Sequence, residues 1–138
     1  MRDAMSGACA FRFWDDPYRT TLMARVTTID ATRVQVDQTI FYAQSGGQES
    51  DHGTLGGIDV IEARKETDAQ GAPGIVYTLA TAPDWSIGET VEMHIDWGRR
   101  HRLMRLHFAA ELVLELVYRT CAGIEKIGAH IGPDKARI

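Results

Sequence analysis

Cysteine, proline and basic charge are all scarce in this sequence. Its 138 residues include only 2 cysteines and 4 prolines. Cys9 and Cys121 form no CxxC pair and no disulfide framework, and a reducing cytoplasm is the expected compartment. No apolar run approaches the ~18 residues of a membrane span, so no membrane partner is expected. The N-terminal stretch carries Arg2, Asp3, Asp15 and Asp16 and lacks the continuous apolar region of a secretory signal. Lys and Arg number 15 against 19 Asp and Glu, a formal net charge of −4. Total charge therefore offers no evenly basic face for counterion release, and any nucleic-acid contact must rest on local charge.

What remains is an ordinary globular balance, with 44% hydrophobic and 25% charged residues. The length allows one domain, or two small subdomains sharing a core. Thr21 to Ile29 is β-branched and apolar, Asp30-Ala31-Thr32 supplies a turn, and Arg33 to Gln38 alternates with Val34 and Val36 on one face. Ile58 to Ala63, Ile75 to Ala80 and Glu89 to Ile95 are three more such runs, and Gly71-Ala72-Pro73-Gly74 marks a tip loop. Short strands with close turn signals predict a small antiparallel barrel over residues 1–94.

At Asp96 the period changes. Asp96 is an N-cap candidate, Gly98 is the last glycine before Gly123, and the spacing predicts a helix from Trp97 to Cys121. With His107 set at zero and about 100° per residue, Leu103, Ala110, Leu114, Val117 and Tyr118 fall on its side. Arg102, Arg105 and Arg119 fall on or near the opposite side. Past Leu106 the helix is apolar almost all round, which predicts a central position in the fold. Residues 95–138 then read as a second subdomain that is incomplete at its C terminus, with Pro133 to Ile138 like the start of another strand.

Three constellations carry chemistry. Thr39-Ile40-Phe41-Tyr42 runs through Gln44-Ser45 into Gly46-Gly47-Gln48 and on to Ser50-Asp51-His52-Gly53. Paired glycines let backbone N–H groups approach a ligand, and Gln48 offers both a donor and an acceptor. A hairpin with a polar tip is the plainer reading of the same residues. His107 and Glu111, at i and i+4, can aim at one ion, as helical zinc pairs do, or form a bracing hydrogen bond. Arg99, Arg100, Arg102 and Arg105, with His101 between, suit backbone phosphates or a solvated helix face equally. His52, His94 and His130 are scattered and read as structural or exposed.

Taken together and in order, these segments resemble the AlaX type of alanyl-tRNA editing protein, whose motif reads FYP-x-x-GGQ-x-x-D-x-G. The stretch Ile95-Asp96-Trp97-Gly98-Arg99-Arg100 through His107 is similar to the lead into that family's zinc-binding helix, and Pro133 to Ile138 to a segment that follows it. The likeness runs from about Asp16 to Ile138. It implies an α+β fold: a small antiparallel β-barrel, then the start of an editing-type domain of threonyl- and alanyl-tRNA synthetases with a long central helix. It implies a hydrolase acting in trans on serine or glycine wrongly joined to alanine tRNA, with the acceptor end as partner. By residue, Gln48 matches the active-site glutamine, with Gly46 and Gly47 positioning beside it, and His107 matches the first zinc ligand. Thr39 matches a threonine implicated in recognising the serine hydroxyl, and Arg99, Arg100 and Arg102 are candidates for substrate contact. Two departures stand out. Glu111 occupies the place of the second histidine, and the downstream CxxxH pair has no match. The expectation is a weakened or absent zinc site, with His107 and Glu111 as the remaining ligand candidates. The alternative is an inactive module that binds aminoacyl-tRNA or another protein. The oligomeric state stays open.

Overall fold

A computed structural model describes residues 9–44, 47–67, 71–126 and 128–138. Strand β1 (Ala10–Phe11) and a 3-10 turn (Arg12–Trp14) precede β2 (Thr21–Asp30), β3 (Arg33–Val36) and β4 (Gln38–Thr39). β5 (Gly53–Leu55), β6 (Ile58–Thr67), β7 (Pro73–Leu79) and β8 (Thr90–Ile95) follow. Helix α1 (Trp97–Thr120) and the short pair β9 (His130–Ile131) and β10 (Ala136–Arg137) complete the order.

Six strands close into a barrel in the order β2-β3-β7-β6-β5-β8, every pairing antiparallel. The period-2 alternation explains it. In β8, Val91, Met93 and Ile95 turn inward while Thr90, Glu92 and His94 face out. β2 does the same with Leu22, Ala24 and Val26. The apolar sets meet in one core that also takes Ile40, Phe41, Leu55, Tyr77 and Leu79. The α+β class and the antiparallel barrel expected from the sequence are both present. β1 and β4 form a separate parallel pair, and β9 and β10 an antiparallel one. Both lie beyond the reach of periodicity, at two residues a strand.

Helix α1 begins where expected. The Asp96 carboxylate accepts from the Arg99 backbone N–H at 3.1 Å, satisfying one of the unpaired donors of the first turn. Its packing departs from expectation. Leu103 and Ala110 pack with Ile131, Leu106 and Ala136 in a small second core. Beyond Ala110 the helix stands clear of the barrel: Leu112 is 53% exposed and Leu116 55%. An apolar residue on every side identifies no one face, so the sequence could not distinguish a central helix from a projecting one. No helix among the described residues is long and apolar enough to cross a membrane.

Candidate active site

The chain between β4 and β5 reaches the helix because a buried ion pair draws it there. Arg100 donates from Nε to both oxygens of Asp51, at 2.9 and 3.0 Å, and from Nη2 to Oδ2 and to the Ile40 carbonyl. A further bond runs from Nη1 to the Pro17 carbonyl at 3.0 Å. Asp51 is equally engaged, since Oδ2 accepts from the Tyr42 N–H at 2.8 Å. Arg99 makes the neighbouring anchor, from Nη2 to Glu49 at 3.0 Å and from Nε to the Ser50 carbonyl at 3.1 Å. Its pull, with desolvation opposing and His130 assisting, holds the Glu49 carboxyl below its ordinary 4.5. Gly53 completes the fit: a Cβ there would lie 1.9 Å from the His94 carbonyl oxygen. The Asp-x-Gly end of the motif thus holds the loop against the barrel and helix.

The glycine loop is held from its other side by the C-terminal segment. The Ile131 N–H donates to the Gly47 carbonyl at 2.8 Å, and the Glu49 N–H to the Ile131 carbonyl at 2.9 Å. Gly47 has φ +86°, and a Cβ on it would meet the Ala129 carbonyl oxygen at 2.3 Å. The close approach that its missing side chain permits is therefore to backbone of the same chain. Gly46 lies outside the described residues.

Gln48 is delivered inward by this clamp. It is only 6% exposed, and its Oε1 accepts from His107 Nδ1 at 2.7 Å. The imidazole carries its proton on Nδ1 in this arrangement, which leaves Nε2 as a lone-pair site. That nitrogen stands 3.6 Å from Glu111 Oε1, too far for a hydrogen bond. The two side chains are 45% and 59% exposed. Gln48, His107 and Glu111 line a cleft of about 520 Å³ with Phe13, Tyr42 and Met104 among its apolar walls. A polar trio opening into an apolar cleft is the usual form of a small-ligand site.

Of the other candidates, Arg100 also lines the cleft, its charge already paired with Asp51. Thr39 is fully buried in the barrel, where its hydroxyl meets the Tyr77 hydroxyl and accepts from the Phe41 N–H at 2.9 Å. It does not line the cleft. Arg99 and Arg100, expected beside phosphates, are 8% and 3% exposed and already paired with carboxylates. The reason is sequence distance: their partners Glu49 and Asp51 lie about fifty residues upstream, where spacing along a helix gives no hint of them. Arg102 remains exposed. Phe13, Pro17 and Met104, which line the cleft, carried no sequence signal of their own.

The zinc implied by the resemblance needs about three protein ligands. Nε2 and Oε1 of His107 and Glu111 have a spacing two ligands of one ion can share. Among the described residues, however, no three His, Cys, Asp or Glu side chains gather as a metal group. The described donors make an incomplete set.

A closed barrel that delivers a loop glutamine to a helix-borne histidine beside an apolar cleft defines an α+β domain with a candidate small-ligand site. No family model matches the chain. It is 33% identical over 129 residues to alanyl-tRNA editing protein AlaX-M of Pyrococcus horikoshii, covering 91% of this chain and 57% of that protein. It is 32% identical over 127 residues to AlaX-M of Saccharolobus solfataricus, covering 88% of this chain and 52% of the relative. Alanine–tRNA ligase of Ignicoccus hospitalis matches at 33% over 126 residues, 91% of this chain and 14% of the ligase. The chain is a homologue of the AlaX-type alanyl-tRNA editing proteins, and it spans little more than half the length of those it matches.

Proposed function

We propose that this chain takes part in aminoacyl-tRNA editing as an ester hydrolase, with serine or glycine wrongly joined to alanine tRNA as substrate. The observation that carries the reading is the Gln48–His107 hydrogen bond at 2.7 Å on the wall of an apolar cleft. With Nδ1–H committed to Gln48, Nε2 is the base. A water held against Nε2 gives up its proton as its oxygen attacks the ester carbonyl carbon. The carbonyl electrons move to oxygen, and the free amide N–H of Gln48 donates to the oxyanion that forms. Glu111, on the next turn, faces the same cleft, its Oε1 3.6 Å from Nε2. Collapse breaks the bond between carbonyl carbon and ribose oxygen, and Nε2 returns the proton to that oxygen. Free amino acid and tRNA result.

In this reading Thr39 supports the barrel, and contact with the amino-acid side chain falls to Gln48, His107 and Glu111. The barrel acts as the platform and α1 with the β9–β10 pair as the helix and clamp, so the proposed site lies between them. The test is deacylation of serine-charged alanine tRNA, with alanine-charged tRNA as control. Faster loss of serine than of alanine supports the proposal. No deacylation above the spontaneous rate, with retained binding of the charged tRNA, replaces it with a binding module.

A further inference from the structure

Three rings cluster on the surface just outside the cleft. Trp97 and His101 stack nearly parallel, 18° between planes and 5.7 Å between centroids, and Tyr18 leans on Trp97 at 5.4 Å, tilted by 51°. Tyr18 is 66% exposed and His101 is exposed as well. Hydrophobic burial does not account for such a cluster, because two of its three members face solvent. Its position connects it with the cleft. Trp97, His101, Met104 and Phe108 follow one another along one face of α1 at helical spacing, and Met104 and Phe108 line the cleft. Tyr18 follows Pro17, another lining residue. Arg105, one turn beyond His101, is exposed, as is Arg102, and neither forms an ion pair among the described residues. They are unlike Arg99 and Arg100, whose charge is already neutralised.

We infer that Tyr18, Trp97 and His101 form a stacking ladder for unpaired nucleotides, over which a single RNA strand enters the cleft. The inference takes the identity of its strand from the editing reading above. Exposed rings beside unpaired cations match single-stranded nucleic acid, in which every base has a face to stack and every nucleotide a phosphate to neutralise. The ladder supplies affinity without a basic surface, in keeping with the chain's net charge of −4. Arg102 and Arg105 supply the local charge.

The experiment measures binding of a 5′-labelled single-stranded RNA pentamer ending in CCA, by fluorescence anisotropy, beside an abasic strand of the same length. Wild-type chain is expected to bind the base-bearing strand about tenfold or more tightly than the abasic one, the loss typical of a stacking contact. Trp97→Ala is expected to abolish that preference, and Trp97→Phe, which keeps a ring, to retain it. His101→Ala, a change at an exposed position, provides the same test should Trp97→Ala fail to fold. Equal binding of the two strands by wild type, or an undiminished preference in both alanine variants, overturns the ladder. Deacylation of charged tRNA by wild type is scored separately. A chain that deacylates without preferring bases loses the ladder and keeps its activity, and one that prefers bases without deacylating does the reverse.

Discussion

Asp51 and Arg100 form a buried ion pair that ties the loop after β4 to the first turn of α1, with side chains only 1% and 4% exposed. Replacing the pair by apolar groups can be nearly neutral, but removing one partner leaves the other charged and unsatisfied. Arg100→Ala would also leave the Ile40 and Pro17 carbonyls without this donor. Either Asp51→Ala or Arg100→Ala is expected to cost about 3–5 kcal/mol in urea unfolding. A loss below about 1 kcal/mol would show that the pair does not hold the loop.

Gly47→Ala tests the clamp from the other side. A left-handed residue with a Cβ costs roughly 1–2 kcal/mol wherever it stands. Gly57 has φ +83° with open space around it, whereas Gly47 has the Ala129 carbonyl in the way. Gly57→Ala therefore measures the backbone cost alone. Gly47→Ala is expected to exceed it in thermal melts and to weaken the contact with residues 128–132. Equal melting losses would remove the steric explanation.

Gln48→Ala is expected to slow deacylation on the order of 100-fold through loss of a preorganised donor. It is also expected to destabilise the chain, because Gln48 is buried and bonded to His107. Gln48→Glu adds an informative comparison, since it keeps an acceptor for His107 and loses the amide donor. A rate near wild type in a folded Gln48→Glu would reject the oxyanion role.

Glu49 contributes a pH-dependent component to stability. Its folded-state pKa is lowered, first by the Arg99 hydrogen bond, so its contribution is present above the ordinary 4.5 and disappears as pH falls through the lower folded value. The side chain is 34% exposed, and solvent and salt screen the effect. The melting-temperature gap between wild type and Glu49→Gln should be present above 4.5 and close as pH falls below it. A gap that widens on acidification below 4.5 would contradict this sign.

Much of the barrel was legible because alternation is local information. Val91, Met93 and Ile95 reveal their face without knowledge of any partner strand. Asp96 and the glycine-free stretch after Gly98 likewise fix the helix from nearby residues. The site was legible only in part. Gln48, His107 and Glu111 were identifiable from motif and spacing and line one cleft. The burial of Arg99, Arg100 and Thr39 was not, because it depends on contacts with Glu49, Asp51 and Tyr77 made across the fold. A charged residue reads as exposed until its partner is known.

The two halves of α1 should differ in how readily their amides open. The first half is fastened by buried Arg99, Arg100, Leu103 and Ala110, and opening it requires undoing the loop clamp. The turns from Glu111 to Thr120 contain no buried residue, and isolated helical segments of that length are marginal in water. Deuterium uptake should therefore rise along the helix, slow through Ala110 and fast beyond Leu112. Any molecule that settles on the outer turns would reveal itself by slowing exchange there, while leaving the protected half unchanged.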